Sequence, residues 1–312
     1  MNGSIFDYGY GVLDGMRHFT EMTRVVKNWH MLGLFYLGVV PYFDLEPRGK
    51  GRKKVRIATS EEFRKFYEAE TCGGRPARTG AGVRVRKGTV EFPYRGKTLR
   101  FYYDGDAALA DTLSLIREQF VDETYGRLRV NGRTVIDIGA NVGDTAMYFA
   151  LNGARHVYAF EPCSHPYGLA VRNVRRNGLE ERITLLNAGC WSSDTRVRIS
   201  DDSGSKSYSA LDISKRGKLV RMLSLDTVAK RYCSGESVLK IDCEGGEYPI
   251  VLNASADTLR KFSRIMIEYH DGYKNLKKKL EDAGFTVRGY RPKTISYNYR
   301  LFGMIFAYRD RE

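Results

Sequence analysis

Residues 135–145, VIDIGANVGDT, constrain the fold of this 312-residue chain more than any other stretch. An apolar run passes directly into a turn with glycines at 139 and 143, and a helical run follows. A strand that feeds a helix through a glycine turn opens a parallel, doubly wound sheet. Gly139 and Gly143 let the backbone turn tightly and approach a ligand closely. Asp144 and Thr145 are placed to cap the following helix.

The pattern continues beyond this unit. Strand-like runs at 135–138, 156–160, 183–187, 239–241 and 264–268 alternate with helical runs at 144–151, 165–177 and 256–261. That alternation predicts a parallel sheet covered on both faces. The tail differs: a helix at 272–283 ends at Gly284, and strand runs at 285–287 and 301–308 predict an antiparallel C-terminal hairpin. Upstream, 89–94 and 98–103 flank a glycine turn and read as a hairpin. A helix at 108–125 follows, with Leu113, Ile116 and Phe120 at helical spacing. Residues 1–80 have mixed character, with helical patches at 15–40 and 60–69 around a basic segment at 48–56. The loop-like stretch 72–82 divides this extension from a main domain at 81–312.

In open α/β sheets, ligands bind beyond the carboxyl ends of the strands. The glycine loop stands at such an end. It lacks the middle glycine of the dinucleotide fingerprint, where Asn141 stands, and Asp137 precedes the turn. A pyrophosphate would meet Asp137 as an unfavourable charge, whereas a nucleoside carrying a sulfonium and a free amino group would be attracted. The second strand ends at Glu161, placed to bond two ribose hydroxyls. The third ends near Asn187 and Ala188, which can meet an adenine edge. The expected donor site is thus Asp137, Gly139, Asn141, Gly143, Asp144, Thr145, Glu161, Asn187 and Ala188.

Four segments together resemble the FkbM family of methyltransferases: VIDIGANVGDT at 135–145, AFEP at 159–162, LSLDT at 223–227 and LKIDCEGGE at 239–247. The family typically shows Lys-Ile-Asp-Val-Glu-Gly in the last, so Cys243 and Gly246 are mild departures. The resemblance covers roughly residues 110–310. It implies a class I methyltransferase fold, a Rossmann-like and mostly parallel seven-stranded sheet. It also implies S-adenosylmethionine as donor and, usually, a hydroxyl acceptor on a sugar, polyketide or similar metabolite.

Transfer to a hydroxyl needs alignment, exclusion of water, and a proton acceptor or bound cation. The fourth strand leads into Asp242, Glu244 and Glu247, and the fifth ends in Glu268 and His270. These five are the catalytic candidates, with His270 in the titration range of a general base. The same acids could hold Mg²⁺ through oxygen ligands. The Asn/Asp-Pro-Pro-Tyr/Phe signature of amino-directed enzymes is absent after the fourth strand.

The formal net charge of +14 points to a polyanionic partner such as RNA, or to solvated basic faces. The aromatics Tyr94, Phe101, Tyr102 and Tyr103 stand among basic residues, either to stack on bases or to pack in a sheet. Five cysteines without CxxC spacing argue against a zinc site or a disulfide framework and suit the cytoplasm. No signal peptide is evident, and the apolar stretch 31–40 is too short to span a bilayer. With its basic neighbours it could make a peripheral membrane contact. Three readings remain: O-methylation of a metabolite or glycan, methylation of RNA, and a non-catalytic binding module.

Overall fold

The computed structural model describes residues 43–45, 55–57, 83–86, 88–104, 106–199, 217–289, 293–294 and 301–309. The helical patches expected at 15–40 and 60–69, and the boundary at 72–82, lie outside them. From the N-terminal part come β1 (Phe43–Leu45) and β2 (Val55–Ile57), paired antiparallel.

Next is an antiparallel meander of β3 (Arg84–Arg86), β4 (Thr89–Tyr94) and β5 (Lys97–Tyr102). The strands turn at Arg95 and Gly96, both with left-handed backbone. Val90, Phe92, Leu99 and Phe101 alternate onto one buried face. They meet α1 (Asp106–Phe120), where Phe120 lies edge-on to Phe92, Tyr94 and Phe101 at 5.1, 5.0 and 5.8 Å. The helix ends five residues earlier than expected; residues 121–125 form turns instead and lead into a 3-10 turn, Gly126–Leu128.

The central sheet holds β6 (Thr134–Ile138), β7 (His156–Phe160), β8 (Ile183–Leu186), β12 (Ser237–Ile241), β13 (Phe262–Tyr269), β14 (Thr286–Arg288) and β16 (Leu301–Tyr308). The helices between them are α2 (Asp144–Leu151), α3 (Ser164–Arg176), α4 (Leu225–Tyr232), α5 (Glu247–Asn253), α6 (Ala256–Leu259) and α7 (Lys274–Asp282). The strand order is β8-β7-β6-β12-β13-β16-β14. β6, β7, β8, β12 and β13 run parallel, and β16 runs antiparallel to both its neighbours. Every residue of β6 and β12 is buried, as a parallel strand covered on both faces requires. Chain order reverses between β6 and β12, so the crevice of the fold opens at their carboxyl ends.

The tail is therefore more than a hairpin: β16 inserts between β13 and β14 and also pairs with β15 (Lys293–Thr294). The sequence pattern also did not announce a second sheet, β10 (Thr195–Ile199), β11 (Lys218–Ser224) and β9 (Gly189–Trp191), or the helices α4 and α5. Two asparagines one helical turn apart fasten the meander to the sheet domain. Asn173 of α3 accepts a hydrogen bond from Tyr102 N–H at 2.7 Å. Asn177 accepts from Arg100 N–H at 2.9 Å and donates to its carbonyl at 2.8 Å. These bonds satisfy the open edge of β5.

Candidate functional site

Three strand-end loops are locked together at the crevice. Gly139 and Ala140 N–H both donate to the Phe160 carbonyl at 3.0 Å, tying the β6 loop to the end of β7. Asp242 N–H donates to the Ile138 carbonyl at 3.0 Å, tying the β12 loop to β6. Gly139 has φ +84°, and a Cβ there would lie 1.7 Å from the Asp242 carbonyl oxygen. That glycine is thus demanded by the neighbouring loop. Gly143 is demanded by a helix: at φ +84° its absent Cβ would press on Ala170 of α3 at 3.2 Å.

Beneath the loops lies a buried ion pair. Asp137 and Lys240 are cross-strand partners on β6 and β12. Lys240 Nζ stands 3.2 Å from Asp137 Oδ1 and donates to the Gly139 carbonyl at 2.6 Å. Thr145 Oγ1 donates to Asp137 Oδ2 at 2.6 Å. Asp137 is wholly out of solvent, so its charge faces Lys240 rather than the open crevice, a correction to the expected direct contact with a cationic ligand. Burial holds the Asp137 carboxyl above its ordinary value, against the pull of Lys240. For Lys240, burial favours loss of the proton, but Asp137, Asp242 and Asp144 outweigh it and hold the ammonium. Asp144 opens α2 with no capping bond, since Gly143 is the N-cap residue, and Thr145 likewise faces Asp137. Asp144 is buried, its Oδ1 has no hydrogen-bond partner, and burial pushes its carboxyl up to about 8.

Glu161 braces the glycine loop. Its Oε2 accepts from Asn141 N–H and its Oε1 from Cys163 N–H, both at 2.9 Å. Asn141 takes a left-handed φ of +47° to present that N–H. Burial pushes Glu161 up to about 7, while the two N–H bonds pull the other way. Asn187 Nδ2 donates to the Glu161 and Pro162 carbonyls at 3.0 and 3.1 Å, so it fastens the β8 end to the β7 end. Ala188 is buried, its N–H on the Leu186 carbonyl.

The catalytic candidates gather at the ends of β12 and β13. Asp242 is 28% exposed, and its Oδ2 accepts from the buried Tyr125 hydroxyl at 3.1 Å. One oxygen each of Asp242 and Glu244 and a ring nitrogen of His270 lie within 4.8 Å of one another. His270 Nε2 is 3.5 Å from Glu244 Oε2, and Nδ1 is 3.2 Å from Glu247 Oε1. Glu247 has no exposed surface and accepts from Cys243 N–H at 3.0 Å and Gly245 N–H at 2.9 Å. Burial opposes its charge, but His270 and the backbone donors hold it below the usual carboxylate range. It therefore orients His270 and does not itself reach the crevice.

Burial likewise opposes the imidazolium of His270, yet the bond to Glu247 and the charges of Glu247, Glu244 and Asp242 raise it to about 9. These carboxylates favour the imidazolium, which weighs against the general-base role expected for His270. Burial pushes Glu268 up to about 8, with Asp242 adding to the effect.

Lys240 and Tyr125 were missing from the expected set. A lone lysine inside an apolar five-residue strand is a readable signal, since lysine is almost never fully buried without a partner. Tyr125 carries none, because it stands 117 residues from Asp242. The aromatics near the meander pack inward: Phe101 is buried, Tyr94 meets Phe120, and Tyr102 lies 4.2 Å under the Arg172 guanidinium.

Residues 137–287 match the family described as the methyltransferase FkbM domain. Protein arginine N-methyltransferase 1.1 of Arabidopsis thaliana is 28% identical over 92 residues, 28% of this chain and 23% of its own length. Uncharacterized protein 65 of Sulfolobus islandicus filamentous virus (isolate Iceland/Hveragerdi) is 26% identical over 166 residues, 52% of this chain and 77% of its own. Among solved structures, methyltransferase FkbM from Methylobacillus flagellatus KT aligns with 66% of this chain and 56% of its own, at 13% identity and TM-score 0.40. TrmK of M. capricolum, solved with S-adenosyl-homocysteine, aligns with 60% and 68%, at 15% identity and TM-score 0.38. The chain thus spans less than a quarter of the plant relative and just over half of the FkbM structure.

Proposed function

We propose, from the match of residues 137–287 to the methyltransferase FkbM domain, that this chain methylates a hydroxyl on a sugar, glycan or other hydroxylated metabolite, with S-adenosylmethionine as donor. One observation carries this reading. Asp242, a partly exposed carboxylate, is joined through its own backbone to the glycine loop, at the switch point where ligands of such sheets bind.

The residues of the loop fit the donor. Glu161 uses one lone pair on each oxygen for backbone N–H groups and keeps others for ribose hydroxyls. Asp144 Oδ1 is a buried acceptor without a partner, suited to an ammonium group. When bound, the donor supplies a methyl group already activated by its positive sulfur. The protein's own part is alignment and proton handling. Tyr125 fixes Asp242 Oδ2, which leaves Oδ1 to orient the acceptor hydroxyl and take its proton. The His270 imidazolium, held by Glu247, balances the negative charge of Asp242 and Glu244.

A second reading has its own observation. Asp242, Glu244 and His270 offer two carboxylates and an imidazole within 4.8 Å, and the buried Glu247 grips the far ring nitrogen. A carboxylate behind a ligating histidine is a recurrent support of metal sites. A divalent cation there, such as Mg²⁺ or Mn²⁺, would polarise the acceptor hydroxyl.

The test is transfer of a labelled methyl group to a panel of hydroxylated glycans and small molecules, with donor binding followed by calorimetry. Asp242→Asn is expected to retain donor binding and lose transfer by at least about 100-fold. Full activity of that variant, or no donor binding by the native chain, would overturn the proposal. Chelator treatment separates the two readings: loss of activity restored by Mg²⁺ favours the cation, and unchanged activity favours Asp242 acting alone.

A further inference from the structure

Four arginines line one cleft away from the strand-end cluster. Arg127, Arg129, Arg264, Arg288, Phe306 and Tyr308 line an open cleft of about 440 Å³. Strand register builds its floor. Arg264 on β13 is the cross-strand partner of Tyr308, and Arg288 on β14 is that of Phe306. Two guanidinium groups are thereby placed beside two aromatic rings. The rings stack at 5.6 Å with an interplanar angle of 23°, and the Arg288 guanidinium stands 5.7 Å from the centre of Tyr308. Arg127 and Arg129 reach the same cleft from the 3-10 turn and its left-handed exit residue.

Arg127, Arg129 and Arg288 are exposed and have no carboxylate partner among the described residues. Arg127, Arg129 and Arg288, converging on one cleft, repel each other unless an anion joins them. The guanidinium fork matches phosphate oxygens, and flat rings between such groups offer faces to bases. The formal net charge of +14 draws the same class of ligand from a distance.

We infer that this cleft binds single-stranded nucleic acid, with the arginines on the phosphates and Phe306 and Tyr308 as the stacking platform. It is distinct from the Asp242–His270 cluster. Arg264 lies four residues before Glu268 on the same face of β13, roughly 13 Å away at about 3.3 Å per residue. The inference therefore stands whether or not the transferase reading does.

The full-length chain, without donor, is titrated against a fluorescently labelled decamer of uridylate, and anisotropy is read at about 50 and 200 mM salt. Saturable binding that weakens steeply with salt is expected. In the triple variant Arg127→Ser, Arg129→Asn, Arg288→Ser, the log–log salt slope should fall by about 2, at about 0.7 per lost phosphate contact. Asparagine at 129 tolerates the left-handed backbone that this position adopts, φ +49°. The matching triple Arg→Lys variant should keep the slope, which separates lost contacts from lost folding. Tyr308→Leu should weaken binding about tenfold with the slope unchanged. An unaltered slope in the Ser/Asn/Ser variant would overturn the inference. So would vesicles rich in phosphatidylserine binding as tightly as the decamer, with Tyr308→Leu neutral toward both.

Discussion

Lys240 Nζ stands 3.2 Å from Asp137 Oδ1, with both side chains out of solvent, and bonds the Gly139 carbonyl at 2.6 Å. One cation thus holds β6, the glycine loop and β12 in register. It also balances Asp144 and, at 3.9 Å, Asp242. Removing one partner of a buried pair leaves the other charge uncompensated. Lys240→Met should therefore cost about 3–5 kcal/mol in urea unfolding. Lys240→Met with Asp137→Asn should recover part of that loss. A single variant as stable as the native chain would refute this assignment.

Gly139 and Gly178 separate two reasons for needing glycine. Both have left-handed backbone, but a Cβ at 178 meets nothing within 4 Å, whereas one at 139 collides with the Asp242 carbonyl. Gly178→Ala should cost only the backbone term, about 1–2 kcal/mol. Gly139→Ala should cost more and abolish donor binding in calorimetry. Equal costs would mean that the β6 and β12 loops are not in contact.

Tyr125 donates to Asp242 Oδ2 from a fully buried position. Tyr125→Phe removes one hydroxyl and little volume. Stability should fall by about 1 kcal/mol, and kcat/KM for methyl transfer should fall about tenfold as Asp242 loses its fixed orientation. Donor affinity should stay unchanged. A loss confined to donor affinity would place Tyr125 in a different role.

Asp144 gives a pH signature. Burial raises its folded-state pKa from the ordinary 3.8 to about 8. A carboxyl raised in this way binds a proton more tightly when folded, so it favours the folded state at low pH. That contribution is lost as pH rises from about 4 towards 8, at up to about 1.4 kcal/mol per pH unit for one proton. Urea unfolding of the native chain should show stability falling between pH 4 and 6, a range below that in which His270 titrates. Asp144→Asn should reduce that slope by up to about 1.4 kcal/mol per pH unit, and Glu161 and Glu268, also raised by burial, supply the remainder. An unchanged slope would assign the titration to another group.

The sheet was legible where its strands are short apolar runs that end in turn residues. His156–Phe160, Asp144–Leu151 and Leu301–Tyr308 fall where periodicity places them. β11 was not, because Lys218 and Arg221 interrupt its apolar run and it earns burial only against β9 and β10. Within the site, the chemistry of each residue was readable but its partner was not. Glu247 reads as one more acid beside Glu244, yet it is sealed against backbone N–H groups and His270. Asp137 reads as a ligand residue, yet it is matched internally by Lys240.

By itself, the sequence determined the alternation of elements, the glycine loop at the end of the first strand, and the set of carboxylates that follows the fourth. Those are local properties: side-chain period, turn chemistry and spacing along the chain. Only the tertiary structure decided which charges face each other. Asp137 meets Lys240, Tyr125 meets Asp242, and four arginines from three separate segments converge beside two stacked rings. Each of those pairings depends on strand order and register, which bring distant residues within a few ångströms and exclude water from some of them. Burial then sets which acids keep their protons, and so which side chains are left to act.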